Sequence, residues 1–267
     1  MFDSQERNTK MKRFKTAAVC ATAVAVAFVC GFSPAVQKAN AQTTNTPWQH
    51  LTLSQLSAVW WQWAFSIPVS SSPLFDPTGA QAFRGQPYSD LLFLGGTFTV
   101  NQLQNGNVLG QVTRSITVKR GTALFFPLLN SEFDNVCGRP NLGGNCSGAH
   151  PSSFGVPQLQ ALVTAATDAV TSVNSTIKES QGPIQNLGTP RLQAPPFQFS
   201  LPPVDNLYQF FGINVSGTVA PAVADGYFSF VPGLATGNYV LRFGGSQVNP
   251  NGTTFTEDIT YSITVTN

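Results

Sequence analysis

The chain has few charged residues, almost no histidine and few cysteines. Of its 267 residues, 14 are Lys or Arg, 12 are Asp or Glu, two are His and four are Cys. The sequence contains no H-E-x-x-H, no G-x-S-x-G and no phosphate-binding glycine loop. Two histidines cannot supply a three-histidine metal site. These absences exclude the common zinc proteases, serine hydrolases of the α/β type and P-loop nucleotide-binding proteins.

The first 41 residues have the pattern of a secretory signal peptide. A start rich in Lys and Arg precedes an apolar run from Thr16 to Phe32, and the tripeptide Ala39-Asn40-Ala41 offers a cleavage site. The apolar run is short for a retained transmembrane helix. We therefore expect a secreted, extracellular or periplasmic protein with no integral membrane span after cleavage.

Removal of the signal peptide changes the charge of the chain. Six of the 14 basic residues and two of the 12 acidic residues precede residue 42, which leaves eight basic and ten acidic groups and a net charge of −2. Nucleic acids and anionic membranes are bound by basic stripes, so we expect neither as a partner. The remaining residues, 42–267, are enough for one domain with a substantial core.

Two cysteines follow the signal peptide, in the stretch "CGRPNLGGNC". Exported thiols usually oxidise, so we expect a disulfide between Cys137 and Cys146 across this glycine-rich loop. Zinc is the weaker interpretation, because the short spacings of zinc knuckles are missing and only His50 and His150 are present.

Helix signals occur at two places in the predicted mature chain. Thr52 and Gln55 have the spacing of a capping box, which predicts a tryptophan-rich helix that ends by Pro68. A second helical pattern begins at Pro157 and predicts a helical insertion around residues 157–179. Its apolar positions are Leu159, Leu162, Val163, Ala166, Val170, Val173 and Ile177.

Most of the remaining sequence alternates between apolar and polar residues, as in "VLGQVTRSITV". Near the end, "GNYVLRF" and "EDITYSITV" flank an Asn-Gly turn signal and predict a β-hairpin. The segment "GTPRLQAPPFQFSLPP" is too rich in proline for a central strand and predicts an extended arm on the surface. The fold class is therefore mainly β, an antiparallel sandwich or jelly roll with an N-terminal helix and one inserted helix.

All four tryptophans lie close together, three of them in "WWQWAFSIP". Trp60 and Trp63 share a helical stripe with Leu53 and Leu56, which is typical of a core-facing surface. Trp61 falls outside that stripe. It is either a stacking platform for a sugar ring or an anchor for a partner, or it is buried in a groove. The three tryptophans are candidate binding residues, and Arg114 is a fourth.

Arg114 has the same parity as Val112 and Ile116, so it points towards the core and needs an acceptor if that face is inward. Glu132 and Asp134 lie two residues apart and project from one face of an extended segment. They can pair with Arg114, bind Ca²⁺ together with loop carbonyls, or serve as the acid and base of a hydrolase. A bulge that turns Arg114 to solvent is the remaining alternative.

Several segments in order resemble a family of uncharacterised secreted bacterial proteins. They are "WWQWAFSIP", "ITVKRGTALFFPLLNSEFDN", "VADGYFSFVPGL", "GNYVLRFGGS" and "DITYSITV". The resemblance covers most of the mature chain and implies an exported β-rich domain, but no activity. Where the family pattern has a more basic or His-bearing strand before the final Gly-Gly, this chain has "YVLRFGG", so no role for a His is implied there.

The low charge and Trp61 together predict a secreted binding or structural protein of the cell envelope or extracellular matrix, with polysaccharide as the candidate ligand. The alternative is a secreted glycan hydrolase with paired carboxylates among Glu132, Asp134 and Asp225. A third interpretation is a domain that needs a partner chain, which would show an exposed apolar patch around "ALFFPLL". No catalytic residue is assigned, and no cofactor other than calcium is indicated.

Overall fold

The structure, a computed structural model, describes residues 47–136 and 154–267. The predicted signal peptide and the predicted disulfide between Cys137 and Cys146 lie outside the described residues. His150 lies outside them as well.

The described residues form three α-helices and eleven strands. The helices are α1 (Leu53–Ser66), α2 (Val156–Asp168) and α3 (Leu207–Phe210). The strands are β1 (Leu91–Phe93), β2 (Val100–Gln102), β3 (Val108–Lys119), β4 (Ala123–Asp134), β5 (Val170–Glu179), β6 (Ile184–Asn186), β7 (Arg191–Gln193), β8 (Phe197–Leu201), β9 (Gly217–Val231), β10 (Gly237–Val248) and β11 (Thr254–Thr266).

The strands form two sheets that pack face to face. The first sheet has the order β1-β4-β9-β7, with β8 also paired to β9, and the second has the order β2-β3-β11-β10-β5-β6. The predicted hairpin is β10 with β11. Two pairs, β1 with β4 and β3 with β11, are parallel. The prediction of a mainly β sandwich with an N-terminal helix and one inserted helix is confirmed, and its sheets are mixed rather than wholly antiparallel.

The first sheet is buried on both faces. One face packs against the second sheet through residues such as Leu124, Phe126 and Phe243, and the other packs under α1 through Phe125 and Phe228. Residues 123–129 of β4 are therefore all buried, as expected for a strand with two covered faces. The exposed apolar patch around "ALFFPLL" that would mark a domain in need of a partner chain is therefore not present in this strand.

Helix α1 begins where the sequence predicts. The Gln55 amide donates to Thr52 Oγ1 at 3.2 Å, and the Thr52 amide donates to Gln55 Oε1 at 2.8 Å, which completes the capping box.

Among the described residues, no helix has both the length and the apolar character needed to cross a membrane.

The inserted helix is shorter than predicted. Helix α2 ends at Asp168, and Val170–Glu179 is strand β5, hydrogen-bonded to β10 and β6. Five of the ten residues of β5 are Val, Ile or Thr, and such β-branched side chains fit a pleated strand better than a helix. The helical spacing of Val170, Val173 and Ile177 was a coincidence within a strand sequence.

The proline-rich segment is extended, as predicted, but it is not a surface arm. Its strands β7 and β8 pair with β9, so they form an edge of the first sheet. Leu192, Phe199 and Leu201 are buried in the cluster that α1 covers. Edge positions tolerate the prolines that lie between and after these strands.

Candidate functional site

The tryptophans of α1 are part of the core. Trp60, Trp61 and Trp63 have 3, 6 and 3% of their surface exposed. The Trp60 indole donates to Leu94 O at 2.8 Å and the Trp63 indole to Arg84 O at 2.9 Å. Trp61 stacks on Phe65 with 5.1 Å between ring centroids. None of the three rings is therefore available as an exposed stacking platform.

Arg114 points into the core, but its partners are not carboxylates. Its Nε donates to Asp76 O at 2.7 Å, and its Nη1 donates to Gly95 O at 2.7 Å and to Gly96 O at 3.0 Å. A further bond of 2.8 Å joins Nη1 to the Tyr261 hydroxyl. These hydrogen bonds tie two loops to the sandwich. Arg114 is only 1% exposed, so it is not available to a ligand in solvent. The predicted ion pair with Glu132 or Asp134 is wrong.

Glu132 and Asp134 lie on one face of β4, as predicted, and a β-bulge decides which face. Before the bulge, Leu124 and Phe126 point between the sheets. The register between β4 and β9 shifts between Pro127 and Leu129, so the even-numbered side chains change sides. Glu132 and Asp134 then lie opposite Ala224 and Ala222, residues of the cluster under α1. Without the bulge both carboxylates would face the core between the sheets.

We call Glu132 and Asp134 the acid pair. Their neighbour is Tyr208 of α3, whose hydroxyl donates to Asp134 Oδ2. The other Asp134 oxygen accepts the Val136 amide at 2.6 Å. Glu132 Oε1 is buried and has no hydrogen-bond partner among the described residues. The acid pair therefore retains one unused buried acceptor.

Burial controls the protonation of the acid pair. It raises the pKa of Glu132 well above the usual value for a glutamate, the charge of Asp134 raises this pKa further, and Tyr208 lowers it. Burial also raises the pKa of Asp134, against the hydrogen bonds from Tyr208 and Val136. Because the charge of Asp134 disfavours a second charge on Glu132, the pair favours keeping a proton on Glu132.

The predicted calcium site at the acid pair needs further ligands. Among the residues that the structure describes, no group of three or more His, Cys, Asp or Glu side chains is placed to hold a metal ion. Ca²⁺ requires six to eight oxygen ligands, of which the acid pair supplies a minority. Calcium binding stays a prediction.

A second feature is an exposed cluster of four phenylalanines, which we call the aromatic patch: Phe75, Phe98, Phe210 and Phe211. Phe210 and Phe211 have 53 and 49% of their surface exposed. The rings of Phe75 and Phe98 are stacked with centroids 5.6 Å apart, Phe210 lies 4.7 Å from Phe75, and Phe211 lies 5.8 Å from Phe98. The patch thus has two protruding rings supported by two partly buried ones.

Helix α3 connects the aromatic patch with the acid pair. Asn206 caps the helix in a capping box with Gln209, and its side chain donates to Pro202 O at 2.9 Å and to Val215 O at 2.7 Å. The helix directs Tyr208 inward to Asp134 and Phe210 outward to the patch. The sequence contains one local signal for this surface, the two adjacent phenylalanines Phe210 and Phe211.

A shallow depression of about 450 Å³ lies elsewhere on the α1 side of the first sheet. Its lining is mostly apolar and includes Leu53, Pro190 and Phe230. It contains no ionisable side chain, so it offers no acid or base for catalysis.

Comparisons with known proteins add no family to this picture. A scan against protein-family models finds no match to the chain, and a search of curated proteins finds no relative. A β-sandwich by itself hosts many unrelated functions, so a function has to be argued from the side chains of a site. The fold-class prediction is confirmed by the strands alone, and the functional argument depends on the acid pair and the aromatic patch.

Proposed function

We propose that the protein is a secreted binding protein of the cell envelope or extracellular matrix that holds polysaccharide on the aromatic patch. The observation that supports this is the pair of protruding rings, Phe210 and Phe211, each about half exposed and each backed by another ring. Sugar rings stack on aromatic faces through their apolar C–H surfaces. The function predicted for Trp61 is thereby transferred to a different set of aromatic residues.

Polysaccharide suits the patch better than a charged ligand does. The chain has few charged groups, and after residue 41 its net charge is −2, so an anionic ligand gains no general attraction. A polar side chain adjoins the rings in sequence, the exposed Thr99 beside Phe98. Its hydroxyl can bond a sugar hydroxyl while the rings stack.

We expect Phe210→Ser combined with Phe211→Ser to reduce retention on the bound polysaccharide by about ten- to hundredfold, because two stacking contacts are lost. The purified protein is tested by pull-down on cellulose, chitin, peptidoglycan and exopolysaccharide. Ile184→Ser is the matched control, since Ile184 is 67% exposed on the edge strand β6 and is absent from the patch.

Unchanged thermal melting of the double variant is needed to assign its loss to the surface. Retention of the double variant equal to that of the wild type would contradict the assignment of the patch. A wild-type protein that binds none of the four materials would contradict polysaccharide binding itself.

The second candidate function is hydrolysis of a glycan at the acid pair. It is favoured by one observation, the raised pKa of Glu132 beside a second carboxylate. Glycosidases use one carboxyl group that stays protonated as the acid and another as nucleophile or base. Glu132 fits the acid, because burial keeps it neutral, and Asp134 fits the second role.

Glu132→Gln separates the two functions. If the acid pair is catalytic, we expect the release of reducing ends from the glycan panel to fall by about 100-fold or more, as is typical for the loss of a general acid. The same change should raise the free energy of unfolding near neutral pH. The raised pKa of Glu132 means that its contribution to stability is present in acid and is lost as the pH rises.

The matched control is Glu179→Gln, because Glu179 is exposed on β5 and has no part in the acid pair. Activity that survives Glu132→Gln would exclude the acid role. A lower free energy of unfolding for Glu132→Gln at neutral pH would contradict the raised pKa of Glu132, because it would mean that the ionised carboxylate stabilises the folded protein.

A further inference from the structure

The loop of residues 95–99 carries Phe98 of the aromatic patch and is fastened at three points. Arg114 donates to the carbonyls of Gly95 and Gly96. The Thr97 amide donates to Glu257 Oε1 at 2.6 Å. The Phe98 amide donates to Leu74 O at 3.0 Å. The position of Phe98 in the patch therefore depends on groups inside the sandwich, and Glu257 is one of them.

Glu257 occupies a position at which the sheet pattern places an apolar residue. Along β11, Ile259, Tyr261, Ile263 and Val265 are buried on one side, and Glu257 has the same parity. Its partners in the neighbouring strands are Gly110 and Gly245. Gly96 covers the carboxyl group so closely that a Cβ on Gly96 would overlap Oε1. The loop therefore acts as a cover over an acidic side chain.

The charged groups around Glu257 do not neutralise it. Arg114 on β3 is the cation whose charge reaches it, but the Nε and Nη1 of Arg114 are bonded to carbonyls and no ion pair with Glu257 forms within the described part of the chain. The Asp76 carboxylate accepts amides of its own turn, such as those of Thr78 and Gly79.

The other neighbours of Glu257 also leave its charge unmatched. Tyr261 on β11 accepts a hydrogen bond from Arg114. Asp258 belongs to the opposite face of β11 and pairs with Arg242 of β10 at 2.7 Å. Ionisation of Glu257 thus places a negative charge under the loop, with one hydrogen bond from Thr97 and the charge of Arg114, without an ion pair, as compensation.

Burial raises the pKa of Glu257 from 4.5 to about 7, although the Thr97 amide and Arg114 both lower it. Lifting the loop admits water to the carboxyl group and returns its pKa towards the ordinary value. The closed loop therefore binds the proton more tightly than the open loop. The free energy that favours the closed loop over the open loop is therefore fully present below pH 4.5 and is lost as the pH rises to about 7.

We propose that Glu257 is a positioning residue for the aromatic patch: the neutral carboxyl group keeps the loop of residues 95–99 closed with Phe98 in place, and ionisation opens the loop. The inference rests on the proposed function, since the patch is taken as the binding surface. Because the loop that carries Phe98 is closed when Glu257 is neutral, we expect polysaccharide to bind more strongly at acidic than at mildly alkaline pH.

The test follows the exchange of the Thr97 and Phe98 amides with solvent, by NMR and without any glycan, from about pH 5 to about pH 8. After correction for intrinsic exchange, the protection of both amides in the wild type should fall by about ten- to hundredfold over this range. Glu257→Gln, whose side chain is neutral at every pH, should show a flat profile. Asp258→Asn is the matched control and should keep the wild-type profile.

A flat wild-type profile would overturn the inference, and so would a Glu257→Gln profile that follows the wild type. The wild-type measurement decides the matter even if Glu257→Gln fails to fold. Retention on polysaccharide is then measured at both ends of the pH range. If amide protection changes with pH but no polysaccharide binds, the role of Glu257 is supported and the proposed function is overturned. If polysaccharide binds but amide protection does not change with pH, the proposed function is supported and the role of Glu257 is overturned.

Discussion

Arg114→Met should lower the free energy of unfolding by about 3 to 5 kcal/mol, a large share of the total stability of a typical domain. The methionine side chain fills much of the same volume but donates no hydrogen bond. The buried carbonyls of Asp76 and Gly96 then lose the donor that Arg114 supplies. Each buried polar group left without a partner costs about 1 to 3 kcal/mol.

Arg242→Met is the matched control for this experiment. Arg242 also lies on a strand, but its side chain is 59% exposed and pairs with Asp258 at the surface. We expect a change of less than about 1 kcal/mol, because exposed ion pairs contribute little. Both variants are measured by urea denaturation, with the slope of the transition compared to confirm two-state unfolding.

Arg114→Lys tests whether the planar guanidinium is required. A lysine keeps the charge, but its single ammonium group cannot reach carbonyls on both loops in the same geometry. We expect Arg114→Lys to fall between Arg114→Met and the wild type. A stability of Arg114→Met within about 1 kcal/mol of the wild type would show that the loops hold together without this network.

Local sequence signals predict much of the fold. The capping box of Thr52 and Gln55 sets the start of α1, and the alternation in β3, β10 and β11 is visible without any partner strand. These features depend on residues a few positions apart, so a single sequence contains them. The end of α2 is different, because the pairing of β5 with β10 overrides the helical spacing of its valines.

The candidate site depends on contacts between distant parts of the chain. The shared face of Glu132 and Asp134 follows from strand geometry and is predictable. The bulge that directs that face under α1 depends on the pairing of β4 with β9, and Tyr208 comes from 74 residues further along the chain than Asp134. Neither has a local signal in the sequence.

Arg114 and the aromatic patch show two further limits. The acceptors of Arg114 are backbone carbonyls, which every residue has, so the sequence directs attention to carboxylates instead. The patch combines rings from three separate segments, and only the adjacent Phe210 and Phe211 can be noticed in advance. Glu257 could be found as an acid in the buried register of β11, given the parity of Ile259 and Tyr261.

Trp60→Ala and Trp61→Ala should each lower the free energy of unfolding by about 3 to 5 kcal/mol, the usual cost of removing a large buried aromatic ring. Both rings are almost completely buried between α1 and the first sheet. Trp61 is surrounded by other rings, with Trp60 and Phe65 both 5.1 Å away between centroids. A pull-down with Trp61→Ala would therefore report unfolding rather than loss of a binding surface.

The corresponding phenylalanine variants separate packing from hydrogen bonding. Trp60→Phe also removes the indole donor to Leu94 O, which leaves that buried carbonyl unpaired at a further cost of about 1 to 3 kcal/mol. Trp61→Phe removes no hydrogen bond, because the Trp61 indole nitrogen is buried without a partner among the described residues. We expect Trp61→Phe to be the less destabilising of the two in chemical denaturation. Equal losses of unfolding free energy for Trp60→Phe and Trp61→Phe would contradict this account of the hydrogen bonds. A Trp61→Ala variant as stable as the wild type would show that Trp61 is not a core residue.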